Sequence, residues 1–176
     1  MSSTMSETIR VAGIENDSIT DGPGLRFVLF LQGCPRACPG CHNPEAIPRE
    51  GGVARTVDEL AGHIRKNPIL TGVTFSGGEP LLQAAPLLPL AKMIREEGLD
   101  LAIYTGYTLE EILRENDPDV LALLSLADIL IDGPFLIGQR NLSLRFRGSS
   151  NQRILDLPRS LADKKAVWTE DEDWTG

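Results

Sequence analysis

The stretch Gly33-Cys34-Pro35-Arg36-Ala37-Cys38-Pro39-Gly40-Cys41-His42-Asn43 holds all three cysteines of the chain, spaced C-x3-C-x2-C. Cysteines buried only as small apolar side chains are scattered, so three in one short loop point to thiolate ligands. Disulfides fit poorly: the count is odd, the loops they would close are tiny, and Met1 to Glu7 is polar rather than an apolar signal region. Two kinds of metal centre remain. A structural zinc site needs four closed ligands, and His42 is the nearest fourth group, although adjacent side chains seldom turn toward one ion. An iron–sulfur cluster usually takes four thiolates, so three leave one iron without a protein ligand, and an open position is where chemistry is done. Pro35, Pro39 and Gly40 bend and stiffen the loop, and its backbone N–H groups suit the sulfurs of a cluster.

Immediately before this loop, Arg26 to Leu31 (RFVLFL) is a nearly continuous apolar run, the pattern of a strand buried on both faces. The cysteine loop leaves its C-terminal end, where open α/β sheets and barrels hold their sites. Upstream, Ile9 to Val11 reads as a short edge strand, and Asn16 to Gly24 as turn chemistry. Downstream, Pro44 to Arg55 reads as loop, and Thr56 with Glu59 forms a capping box for a helix ending at Asn67-Pro68. Gly72 to Ser76 is a second strand, Pro86 to Glu97 a helix stopped by Gly98, and Leu99 to Tyr104 a third strand. Thr108 and Glu111 cap a further helix, Pro118 to Leu126 is another, and Ile129 to Ile131 is a fourth strand. Pro134 to Asn151 is loop-like, and Arg153 to Leu157 a last strand.

This alternation predicts parallel βαβ units. A closed eight-unit barrel needs about 250 residues, and the chain has 176. The expected fold is therefore α/β, an incomplete parallel (β/α) barrel of about five to six units. Residues 1–8 read as a disordered N-terminus, 9–157 as the one domain, and 158–176 as a C-terminal extension with a mobile acidic tail. The formal net charge of -8 disfavours nucleic acid and anionic membrane surfaces as partners. No apolar run reaches the roughly 20 residues of a membrane helix. A reducing cytoplasm is the expected location.

Several of these segments together resemble a known family. C-x3-C-x2-C after an apolar strand is similar to the cluster loop of the radical S-adenosylmethionine (SAM) enzymes. Asp21-Gly22-Pro23-Gly24-Leu25-Arg26, then Gln32-Gly33-Cys34, then Cys41-His42-Asn43-Pro44-Glu45 resembles the glycyl-radical-enzyme activases among them. Asp132-Gly133-Pro134-Phe135 and Arg147-Gly148-Ser149-Ser150-Asn151-Gln152 resemble stretches of the activating proteins of anaerobic ribonucleotide reductases. The resemblance covers roughly residues 9–157 and implies the following. Cys34, Cys38 and Cys41 ligate three irons of a 4Fe-4S cluster, with Gly40, Cys41 and His42 beside the cofactors. SAM chelates the fourth iron and is reductively cleaved to methionine and a 5′-deoxyadenosyl radical, which takes a hydrogen atom from a glycine Cα of the partner. That partner is the glycyl radical subunit of an anaerobic ribonucleoside-triphosphate reductase, and the electron comes from an external donor such as flavodoxin or ferredoxin.

The other strand ends supply the remaining candidates for cofactor binding. Ser76-Gly77-Gly78-Glu79 matches the family's GGE motif, which implies that SAM's methionine end lies against the backbone of Gly77 and Gly78. A paired glycine after a strand is, taken alone, an ordinary tight turn. Thr105 and Asp132, at two further strand ends, are either plain turn chemistry or SAM contacts, since their order suits a cofactor lying across the open end of the sheet. Arg140, Arg145 and Arg147 form a local basic cluster in an acidic chain, read as a docking surface for the partner or as pairing with the chain's own carboxylates. Alternative readings are an activase of a formate-lyase-type enzyme and a non-catalytic zinc or iron–sulfur module.

Overall fold

The computed structural model describes residues 8–35, 44–48 and 50–175. Seven strands make one sheet: β1 (Thr8–Ser18), β2 (Arg26–Leu31), β3 (Val53–Thr56), β4 (Gly72–Gly77), β5 (Asp100–Tyr104), β6 (Ile129–Asp132) and β7 (Arg153–Asp156). The spatial order is β3-β1-β2-β4-β5-β6-β7. β2, β4, β5 and β6 run parallel, while β1, β3 and β7 join antiparallel. The α/β character is as expected. The parallel part comprises four strands linked by three helical crossovers, and antiparallel strands extend both edges in place of further βα units.

The crossovers are α1 (Val57–Arg65), α2 (Ala84–Glu96), and the pair α3 (Leu109–Glu115) and α4 (Pro118–Ser125). Three of these four helices are capped by a side chain at the start. Thr56 and Thr108 close the two capping boxes with Glu59 and Glu111, and Asp117 caps α4 ahead of Pro118. Such a cap stabilises by about 1 kcal/mol. The helices, with α5 (Leu157–Asp163), lie on one face of the sheet. Leu60, Leu87, Leu90, Ile94, Leu109 and Leu123 pack there against Phe27, Leu29, Val73, Phe75, Leu101 and Ile103.

Several segments differ from their sequence reading, among them Leu157, read as the end of the last strand, which opens α5. β1 is eleven residues long and lies inside the sheet, not at its edge. Its pattern is broken by register shifts on either side of the Gly13–Glu15 pairs, which hide the alternation of a strand. β3, read as loop, is the edge; its side chains are largely exposed, so no apolar signal marks it. The acidic tail, read as mobile, is anchored: α6 (Glu172–Thr175) buries Trp174 against the other face of β5–β7 with Ala102, Ile129, Ile131 and Ile154. One buried indole outweighs the surrounding carboxylates, because these remain in water. Residues 1–7 and the central cysteine loop, residues 36–43, lie outside the described residues. Thr8, assigned with the disordered N-terminus, is the first residue of β1.

The N-terminal ends of the parallel strands are pinned by Arg26, which is fully buried. Its guanidinium donates to Thr74 Oγ1 (2.8 Å), Val73 O (3.0 Å) and both oxygens of Asp100, tying β2, β4 and β5. Gly22 precedes it at φ 140°, where a Cβ would strike the Arg26 side chain. Packing at the base of the sheet thus accounts for Gly22 and Arg26, while Asp21 lines the cleft described below.

Candidate functional site

The C-terminal ends of β2, β4, β5 and β6 converge on a cleft of about 460 Å³. That is within the size range of small-molecule sites, roughly 300–1,000 Å³. Each strand contributes the residues just beyond its end: Cys34 after β2, Ser76 to Glu79 after β4, Thr105 and Gly106 after β5, and Gly133 after β6. Phe135, Leu144, Phe146, Arg147, Gly148 and Gln152 close the far side.

The base of the cysteine loop is fastened from several directions. Gly33 N donates to Ala46 O (2.6 Å) and Cys34 N to Ile47 O (2.9 Å), so the two limbs pair where they enter and leave the loop. Gln32 Nε2 donates to Pro48 O, and Gln83 Nε2 donates to Gln32 O at 3.2 Å. Cys34, half-buried, stands at the lip of the cleft. Cys38, Cys41, Gly40 and His42 lie outside the described residues.

The GGE segment locks onto this base. Gly78 N donates to Leu31 O (2.8 Å) and Glu79 N to Gly33 O (2.7 Å). Gly77 sits at φ 89°, and a Cβ there would meet Leu31 N at 2.6 Å and Phe30 Cα at 2.7 Å. A Cβ on Gly78 would collide with the carbonyl of Gly33 and lie 2.9 Å from Ala46 O. The protein's own backbone therefore demands these glycines, a different reason from close approach by a ligand. Glu79, only 1% exposed, accepts from Thr105 Oγ1 (2.8 Å), Gly106 N (2.8 Å) and Leu81 N (3.2 Å). Its charge is balanced by donors inside the protein while it lines the cleft.

Asp132 receives a task other than cofactor contact. It is fully buried, and its carboxylate accepts from Leu109 N (2.8 Å), at the start of α3, and from Arg153 Nε (3.0 Å) and Nη2. Arg153 also pairs with Glu110 (2.7 Å). The hydrogen bond from Arg153 holds the Glu110 carboxyl below the usual range, and the two carboxylates push the Arg153 pKa up. Gly133, the next residue, is the one that lines the cleft.

The sequence reading missed the far wall. Phe146 has φ 61°, a left-handed conformation that is costly for an aromatic residue. Its carbonyl accepts the Tyr104 hydroxyl at 2.7 Å, and burial pushes the Tyr104 phenol pKa up. Arg147, grouped by sequence with the docking arginines, lines the cleft. It donates to Gln152 O (2.8 Å), and its buried Nε–H has no hydrogen-bond partner among the described residues. Gln152 in turn accepts from Gly148 N and Ser149 N and donates to Gly133 O. The RGSSNQ motif was the available signal, but a polar loop of this composition does not disclose which face it turns to the cleft.

Residues 20–155 match the family described as 4Fe-4S single cluster domain. The chain is 35% identical to the anaerobic ribonucleoside-triphosphate reductase-activating protein of Haemophilus influenzae, over 77% of this chain and 90% of that protein. It is 36% identical to the protein of the same name from Escherichia coli K12, over 77% and 91%. With the pyruvate formate-lyase-activating enzyme of Clostridium pasteurianum it shares 41% identity over 70% of this chain; it spans 55% of that relative.

The cofactors this implies are a 4Fe-4S cluster and SAM. The described residues fit them: a cysteine and an arginine line one cleft of suitable size, and the arginine's buried Nε–H has no hydrogen-bond partner among the described residues. The choice between zinc and iron left open by the cysteine spacing falls to iron. The chain belongs to the 4Fe-4S single cluster domain family, among the radical SAM activating enzymes of glycyl radical enzymes.

Proposed function

We propose that this chain activates an anaerobic ribonucleoside-triphosphate reductase by reductive cleavage of SAM and formation of a glycyl radical on that partner. The observation that carries the reading is the near-complete overlap with reductase-activating proteins, 90–91% of their length. The cleft geometry supports it. Cys34, Cys38 and Cys41 would hold the cluster, with Gly40 and His42 alongside. The backbone of Ser76 to Glu79 would receive the methionine end of SAM, and Arg147 Nε–H would donate to its carboxylate. When bound, the reduced cluster supplies the single electron that cleaves the sulfonium of SAM. Glu79 fixes the ends of β4 and β5, and Thr105 acts through it. Phe30, Phe135 and Phe146 line the cleft and restrict water, which protects a radical reaction from quenching. No general acid or base is required, in keeping with two histidines in the whole chain.

A cytoplasmic setting keeps the thiolates reduced, and a flavodoxin or ferredoxin is the proposed electron donor. A second reading, activation of a formate-lyase-type enzyme, draws on the 41% identity to the Clostridium enzyme. Anaerobic reconstitution followed by a SAM-cleavage assay tests the shared chemistry. 5′-Deoxyadenosine formed in proportion to the cluster loaded is the expected result; a loaded cluster without SAM turnover contradicts the reading.

A further inference from the structure

Both tryptophans of the chain lie in the C-terminal extension, beyond the residues matched by the family. Each packs on one of two neighbouring residues of the cleft wall. The Trp174 ring meets Phe146 edge-on, 5.3 Å between centroids at 70°. The Arg147 guanidinium lies 5.3 Å from the centroid of the Trp168 ring. Trp168 is held in place because 167–169 runs antiparallel beside β7: Asp156 N donates to Val167 O (2.8 Å) and Thr169 N to Ile154 O (3.0 Å).

The wall needs such support. Phe146 is one of three non-glycine residues with positive φ among the described residues, and such a conformation persists only where its surroundings over-determine it. Tyr104 holds its carbonyl from the sheet, and Trp174 holds its ring from below. Arg147 is a long side chain with one donor bonded to Gln152 O and another, Nε–H, without a partner among the described residues. Its rotamer entropy opposes any fixed placement in a cleft. A flat indole under the guanidinium reduces the freedom lost on binding and leaves the edge N–H groups free to donate.

We propose that the C-terminal extension is a clamp for the cofactor cleft, in which Trp168 and Trp174 are positioning residues that hold Arg147 and Phe146 ready for SAM. This rests on the reading that SAM occupies the cleft. Trp168 carries the test because it is 45% exposed, whereas Trp174 is 3% exposed and its removal threatens the fold.

The experiment compares the parent with Trp168→Leu and Trp168→Phe, all carrying the reconstituted cluster, by equilibrium dialysis with labelled SAM and by thermal unfolding. Leucine keeps apolar cover but loses the aromatic face. Trp168→Leu should raise the SAM dissociation constant about three- to tenfold, the scale of a partly exposed cation–π contact. Trp168→Phe should recover most of that loss, and both should unfold within a few degrees of the parent. In an Arg147→Gln background, Trp168→Leu should have little further effect, because its target is gone. Equal SAM affinity in Trp168→Leu and the parent overturns the clamp. So does an equal loss in the leucine and phenylalanine variants, which would mark mere packing. A parent that binds no SAM overturns the functional reading instead, so the two failures are distinguishable.

Discussion

The Glu79 carboxylate, just past β4, accepts the Thr105 hydroxyl, just past β5, at 2.8 Å, and both groups are buried. This bond ties together two of the strand ends that form the cleft. Removal of the carboxylate in Glu79→Ala strands the Gly106 and Leu81 N–H groups as well as Thr105. A buried donor left unsatisfied costs about 1–3 kcal/mol, so Glu79→Ala should lower stability by at least about 2 kcal/mol in denaturant unfolding. Thr105→Val, which loses the bond to Glu79 and the one its hydroxyl accepts from Tyr107 N (3.1 Å), should cost about 1–3 kcal/mol. Both should weaken SAM binding. If Glu79→Ala unfolds like the parent, the Glu79–Thr105 bond does not stabilise the fold.

Gly78→Ala separates two accounts of the GGE motif. If its glycine only lets SAM approach, the variant loses SAM affinity and keeps its iron. The added Cβ, however, runs into the Gly33 carbonyl, next to Cys34. The geometry therefore predicts that iron per chain after reconstitution falls along with SAM binding. Full iron loading with impaired SAM binding would restore the ligand-approach account.

The parallel strands and the capped helices were legible because their signals are local: RFVLFL, the Thr56/Glu59 and Thr108/Glu111 boxes, and the glycine after Glu97. β1 was not, because Gly13 and two register shifts break its period. Cys34 and Ser76 to Glu79, named from the sequence as cofactor candidates, line the cleft. Asp132 misled, because a buried aspartate at a strand end reads as a ligand until its partner Arg153, 21 residues on, is seen. That Arg147 lines the cleft was not legible, because a charge in a loop does not reveal which side of the loop it faces.

The docking reading of the basic loop makes a separate prediction. Among the described residues neither Arg140 nor Arg145 forms an ion pair, while Arg153 has two. The loop between the cleft-lining residues Phe135 and Gln152 also exposes Ile137 (56%) and Leu142 (82%). Arg140→Glu should slow glycyl-radical formation on the reductase several-fold at low salt and less at high salt, since screening weakens surface attraction. Uncoupled 5′-deoxyadenosine release should stay at the parental rate. A parallel fall in both activities would assign Arg140 to the fold or the cofactor site.

Acid should act through Glu110. Its carboxyl is depressed by the hydrogen bond from Arg153. An acid depressed in the folded state stabilises fully above its unfolded pKa, about 4.3. That stabilisation is lost as pH falls through the lower folded value. Glu110→Gln should therefore show a shallower loss of stability below about pH 4 than the parent in unfolding experiments across pH. Identical acid limbs would show that the pair contributes nothing to folding.

The most direct measurement is the EPR spectrum of an anaerobic ribonucleoside-triphosphate reductase incubated with this chain, reconstituted with iron and sulfide, plus SAM and a one-electron reductant. The expected result is a glycyl-radical signal on the reductase that requires SAM and disappears when Cys34, Cys38 or Cys41 is replaced by alanine. Iron loaded at about four per chain, with SAM cleaved but no radical on the reductase, would contradict the proposed partner.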